Sequence, residues 1–219
     1  ELLTIKETVL MHIKLNQKKK HQSNSDFAEP KFTAIVLAGR LSSRMGTDKA
    51  LLSVRGNTLL SRTINLAYEA GAQEVLVSRN KAGFIQDVYK NHGPLSGLHA
   101  TLPICNFSYA LFLAVAMPIL SCDSLRQLVK FKPLTTSKVS NMDFTGQHFV
   151  GHPLPAFIMV NDALKQELTN RLIQESAPKS LNNLWRTLNF IEIPSEYPEE
   201  LLNTNDPQTW QEFIKDLEP

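Results

Sequence analysis

Cysteine is scarce in this chain: Cys105 and Cys122 are the two among 219 residues, and no CxxC spacing joins them. That excludes a disulfide framework and makes a reducing, cytoplasmic setting the expectation. No apolar stretch approaches the ~18 residues that a membrane span requires, and the first residues lack the apolar core of an export signal, so no membrane partner is expected. A large excess of one charge is missing too. Residues 1–26 carry five lysines against three acids, while the rest balances at 18 against 18. A nucleic-acid binder would show a basic stripe over its folded part, so no nucleic-acid partner is expected. The polar run LNQKKKHQSNSD and the internal Met11 mark residues 1–30 as an expected disordered extension, ahead of one domain over residues 31–219. Two familiar phosphate fingerprints are also missing. GxGxxG is absent, which disfavours a Rossmann oxidoreductase, and GxxxxGK[ST] fails because Gly46 is followed by Thr47 and Asp48.

What is present is a regular alternation. FTAIVLA (32–38), EVLVS (74–78) and ALFLAV (110–115) are short apolar runs of the kind that form buried parallel strands. Between and after them lie helix patterns at 58–71, with Gly71 as its stop, from 93–102, and at 121–131 behind the cap Ser121. Further strands are expected near 135–140 and 155–160. Helices are expected from Asn161 to about Gln174, around 180–188 and after Asp206. Strand and helix in turn predict a three-layer α/β/α domain on a mostly parallel sheet, with ligands bound at the carboxyl ends of its strands.

The stretch IVLAGRLSSRMGTDKALLSV (35–54) sits at such an end. Ala38, Gly39, Ser42, Ser43 and Gly46 are small enough to let a phosphate reach backbone N–H groups, and Arg40, Arg44 and Lys49 supply positive charge. Its spacing, L-A-G-x-x-S-x-R-M-G-x-D-K, resembles the phosphate loop of the molybdenum-cofactor guanylyltransferase family. The resemblance continues through SRN (78–80), Asp87, GPLSGL (93–98), MPIL (117–120), GHPLPAF (151–157) and LNTNDP (202–207). It implies a Rossmann-like nucleotidyltransferase fold and transfer of GMP from GTP to molybdopterin, with pyrophosphate released and Mg²⁺ as cofactor. It further implies that Leu37, Ala38 and Gly39 line the nucleotide, that Arg44 and Lys49 neutralise the phosphates as catalytic groups, and that Asn80 and Asp87 face the nucleoside. His152 and Asn205 would lie on the pterin side. Contacts with molybdenum-cofactor synthesis or acceptor proteins are the protein partners it implies.

Two positions depart from the family pattern. Arg40 stands where the family has a second loop glycine, and Ala116 stands where a metal-binding Asp precedes the Met-Pro of the central strand's end. Alanine offers no side-chain oxygen to Mg²⁺, which commonly takes one or two protein carboxylates. Asp87, or else Asp123, is the expected substitute metal ligand, although Asp123 also suits the first turn of a helix on dipole grounds alone. Three accounts therefore stand together: a working guanylyltransferase, a nucleotide- or pterin-binding paralogue with little turnover, and a cytidylyl- or sugar-phosphate nucleotidyltransferase. His148 and His152 lack the helix and the acidic partners of a metal site. Lys179 reads as a solvated side chain or a contact to an anionic pterin phosphate. Trp210, Phe213, Ile214 and Leu217 form a core-facing helical stripe.

Overall fold

The computed structural model describes residues 30–39, 48–54, 56–130, 145–203 and Trp210. Strand β1 (Phe32–Leu37) is buried on both faces, and successive side chains feed opposite cores. Phe32, Ala34 and Val36 face one, and Ile35 faces the other. The same alternation runs through β5 (Tyr109–Ala114), where Leu111 and Leu113 oppose Ala110 and Phe112. This is the period of two expected of a sheet covered on both sides.

The layers follow from helix patterning. Helix α1 (Leu59–Glu69) starts at Thr58, whose Oγ1 accepts the Ser61 amide at 3.1 Å, and buries Leu59, Leu60, Ile64 and Ala67. Helix α3 (Cys122–Val129), capped by Ser121, joins it on that face through Leu125 and Leu128. The opposite face is covered by α2 (Pro94–Thr101), α4 (Asp162–Ile173) and α5 (Leu181–Thr187), whose Leu98, Leu168 and Trp185 share the second core. Fully burying one such leucine or aromatic is worth roughly 1.5–3 kcal/mol, so each helix is held mainly by its apolar stripe.

The six-stranded sheet has the order β4-β1-β5-β7-β6-β8, with β4 over Glu74–Ser78, β6 over Gly146–Phe149, β7 over His152–Met159 and β8 over Ile191–Ile193. β1 pairs in parallel with β4 and β5; β7 runs antiparallel to both β5 and β6. The sheet is thus mostly parallel, as expected, and β7 is its reversed member. A small antiparallel pair, β2 (Ser53–Val54) and β3 (Asn57–Thr58), leads into α1. The strand expected near 135–140 and nearly all of the helix after Asp206 lie outside the described residues. β6 and β8 were not anticipated.

Candidate active site

Parallel pairing brings the carboxyl ends of β1, β4 and β5 to one rim. The chain turns off β1 at Ala38, whose N–H donates to the Ser78 carbonyl at 2.9 Å, while the Val115 N–H reaches the Leu37 carbonyl at 3.4 Å. Gly39 follows against the backbone of Ser78–Asn80. Leu37, Ala38 and Gly39 therefore meet the end of β4. Helix α2 enters the same rim closely: a Cβ on Gly97 would lie 2.5 Å from Ser78 Oγ and 2.8 Å from Leu37 Cδ2. That approach explains the second glycine of GPLSGL on packing grounds.

Asn80 and Asp87 come together as a reciprocal pair. Asn80 Nδ2 donates to Asp87 Oδ2 at 2.8 Å, and the Asp87 amide donates to Asn80 Oδ1 at 2.8 Å; the Ser78 hydroxyl stands 3.5 Å from Asp87 Oδ1. The loop between them is strapped to the strand by Arg79 N–H to the Ile85 carbonyl and Ile85 N–H to the Val77 carbonyl.

The far end of the phosphate loop returns at Asp48 and Lys49. Asp48 caps a short 3-10 turn (Lys49–Leu51) by accepting the Ala50 amide at 3.2 Å, and Lys49 is buried in that turn. The other carboxylate oxygen takes Arg79 Nη2 at 2.5 Å and Lys81 Nζ at 2.9 Å. Burial opposes the charge on Asp48, but the Lys81 hydrogen bond, the two neighbouring cations and the Ala50 N–H outweigh it and hold the carboxyl below its ordinary range. Arg79 is a site element that sequence reading missed. It lies inside SRN, and its partner is 31 residues away, so no local pattern marks it.

The other candidates separate. Arg44, Asn205 and Arg40 lie outside the described residues. His152 begins β7 half-buried, its carbonyl 3.1 Å from His148 Nδ1, which also lies 3.0 Å from the Phe149 carbonyl. That histidine pair closes a strand turn. Asp123 sits in the first turn of α3 and pairs with Arg126 at 3.5 Å. Lys179 is half-buried, and its Nζ donates to the Arg171 and Gln174 carbonyls, closing the carboxyl end of α4.

Nucleotidyl transfer generally draws on a divalent cation. Among the described residues no group of three His, Cys, Asp or Glu side chains is placed to hold one. Ala116 is buried at the end of β5 with no oxygen to offer from its side chain, and the Asp87 carboxylate is engaged by Asn80. These residues do not fit a cation held by the protein.

A family model described as the MobA-like NTP transferase domain matches residues 34–186, which spans the loop after β1, β4 with the Asn80–Asp87 pair that follows it, and the sheet apart from β8 and the first residues of β1. The chain belongs to that family. Within it, the chain is 34% identical over 190 residues to the molybdenum cofactor guanylyltransferase of Xanthomonas euvesicatoria pv. vesicatoria, covering 84% of this chain and 94% of the relative. Solved structures share the fold. A nucleotidyl transferase from Methanothermobacter thermautotrophicus superposes with a TM-score of 0.65 at 17% identity, over 85% of this chain and 97% of that one. The molybdopterin-guanine dinucleotide biosynthesis protein A of Archaeoglobus fulgidus gives 0.63 at 19% identity, over 84% and 97%. The MobA-like assignment makes the rim of β1, β4 and β5 the place to seek nucleotide chemistry.

Proposed function

We propose that this chain is a nucleotidyltransferase that moves GMP from GTP onto the phosphate of molybdopterin and releases pyrophosphate, in molybdenum-cofactor biosynthesis in the cytoplasm. The observation that carries this reading is the 34% identity to a guanylyltransferase along 84% of the chain. A molybdopterin phosphate oxygen attacks the α-phosphorus of GTP; the new P–O bond forms as the bond to the β-phosphate bridging oxygen breaks, and pyrophosphate leaves. The reaction asks mainly that a highly charged pair of substrates be held in line and neutralised. Lys49 and Arg44 supply fixed positive charge, the backbone at Leu37–Gly39 supplies close approach, and the Asn80–Asp87 pair faces the nucleoside. His152 and Asn205 stand toward the pterin. Residues 1–30 are read as an extension outside the domain at 31–219.

Magnesium is the cation this reading implies, arriving with the triphosphate rather than held by the described residues. Ala116 favours a second reading, a paralogue that retains binding and has lost most turnover. One experiment separates them: pyrophosphate release with molybdopterin and GTP, beside CTP, for the unmodified chain and for Ala116→Asp. Turnover of GTP over CTP by the unmodified chain is the expected outcome. Silence there with recovery in Ala116→Asp establishes the second reading, and silence in both with CTP active removes the guanylyl assignment.

A further inference from the structure

Two arginines are buried among the described residues, and they are not alike. Arg171 is satisfied at every nitrogen. Its Nε donates to Glu167 at 2.6 Å, Nη1 to Asn183 at 2.6 Å and to the Pro178 carbonyl at 3.2 Å, and Nη2 to Thr187 at 2.6 Å. It rivets α4 to α5. Arg79, 4% exposed, is tied through Nη2 to Asp48, lies with its guanidinium carbon 5.2 Å from the centroid of the Phe84 ring, and leaves a buried Nε with no hydrogen-bond partner. A buried cation so incompletely matched costs more than an apolar side chain of the same shape would, so packing does not account for it.

We infer that Arg79 is a positioning residue for nucleotide binding, acting through Asp48 on the turn that carries Lys49. The inference rests on the functional reading above. Asp48 is an anion next to the lysine that meets the triphosphate, and uncompensated it would repel that ligand across a few ångströms. Arg79 and Lys81 reverse the sign of the cluster: one carboxylate faces two cations. They also fix it, because Asp48 Oδ1 caps the turn through Ala50 while Oδ2 takes both cations, so neither oxygen is left to swing the turn. The same contact joins the loop after β1 to the loop after β4, on which Asn80 and Asp87 hold the nucleoside side. Phosphate grip and nucleoside grip are thereby set at one spacing.

The test is GTP affinity by calorimetry in the full chain, with thermal melting alongside. Arg79→Met is expected to weaken GTP about tenfold, and Arg79→Lys to recover part of that loss. Adding Asp48→Asn to Arg79→Met is expected to restore most of the affinity, because the uncompensated anion is then gone. A purely structural role would move the melting temperature and leave affinity within twofold, which overturns the inference. A double variant that binds no better than Arg79→Met also overturns it, since Arg79 would then touch the nucleotide itself. Should Arg79→Met not fold, exposed Lys81→Ala carries the same comparison, with a loss of about threefold that Asp48→Asn removes. An unmodified chain that binds no GTP removes the functional reading and this inference with it; one that binds GTP while the Arg79 and Lys81 variants match it removes the inference alone.

Discussion

Among the described residues, none gives Gly39 a reason to be a glycine. A Cβ there would meet no described atom closer than 3.8 Å, an ordinary contact with the backbone of Arg79 and Ser78, and its backbone is outside the left-handed region. On the proposed function the demand for smallness comes from the ligand that approaches the loop. Gly39→Ala should therefore keep the melting temperature within a degree or two of the unmodified chain and lower GTP affinity severalfold; a loss of stability with unchanged affinity would place the requirement in packing instead. Cys105 shows the opposite case, a reactive residue type made inert by its surroundings. Burial, with the Glu74 carboxylate nearby, pushes its thiol up to about 11, so at pH 8 only roughly one molecule in a thousand carries the thiolate that alkylating reagents attack. Iodoacetamide at pH 8 should leave Cys105 intact in the folded chain and modify it on unfolding, as peptide mass spectrometry would show. At this scale the sequence was legible where chemistry sits in a linear spacing. Gly39 and Lys49 stand out by their spacing, and Asn80 and Asp87 by the family resemblance; the structure sets Gly39 against the Ser78–Asn80 backbone, Asn80 on Asp87, and the turn of Lys49 beside Arg79 through Asp48. Arg79 was not legible, because its meaning is a contact made across 31 residues. The carbonyl contacts of Lys179 were not legible either, because the helix end they close is set by where Ile173 stops.

Elements with a strong period and a side-chain cap were readable from their residues. α1, α3, α4 and α5 start at Thr58, Ser121, Asn161 and Ser180, each of which accepts an amide three residues on. β6 was not readable: Gly146, Gln147 and His148 are poor strand formers, and their burial comes from β7, β8 and the aromatic packing around them. The reversal of β7 carries no local signal, since direction is set by which neighbours are free to pair. Gly146 shows what holds β6 in place. A Cβ on it would lie 2.4 Å from the Phe190 ring and 2.9 Å from the Phe157 carbonyl, and Phe190 is itself stacked on Trp185 with ring centroids 4.3 Å apart. Gly146→Ala should cost about 1–3 kcal/mol in urea unfolding and weaken the near-ultraviolet circular dichroism of the stacked rings. An unchanged spectrum with full stability would mean that β6 docks by some contact other than this one.

Across the whole molecule, the two cores are built from the same strands. Phe32, Leu113 and Phe157 face α1 and α3, while Ile35, Phe112 and Ile158 on the same three strands face α2, α4 and α5. Stripping the helices from one face would bare that side of β1, β5 and β7 and loosen the strands on which the other core depends. Cooperative unfolding of both layers is the consequence. The chain's two tryptophans report on the layers separately: Trp185 is buried in the second core, and half-buried Trp210 packs against the first. Forms carrying Trp185 alone or Trp210 alone, made by Trp→Phe exchange of the other, should each show a single urea transition when followed by fluorescence and by far-ultraviolet circular dichroism. Into both forms Leu113→Ala is then introduced, a deletion in the first core that should cost about 2–5 kcal/mol. The Trp185 signal, on the far side of the sheet, should shift its midpoint by as much as the Trp210 signal does. A Trp185 transition that stays in place while the Trp210 transition moves would mean that the layers open independently, and that the rim between them can loosen on one side without unfolding the other.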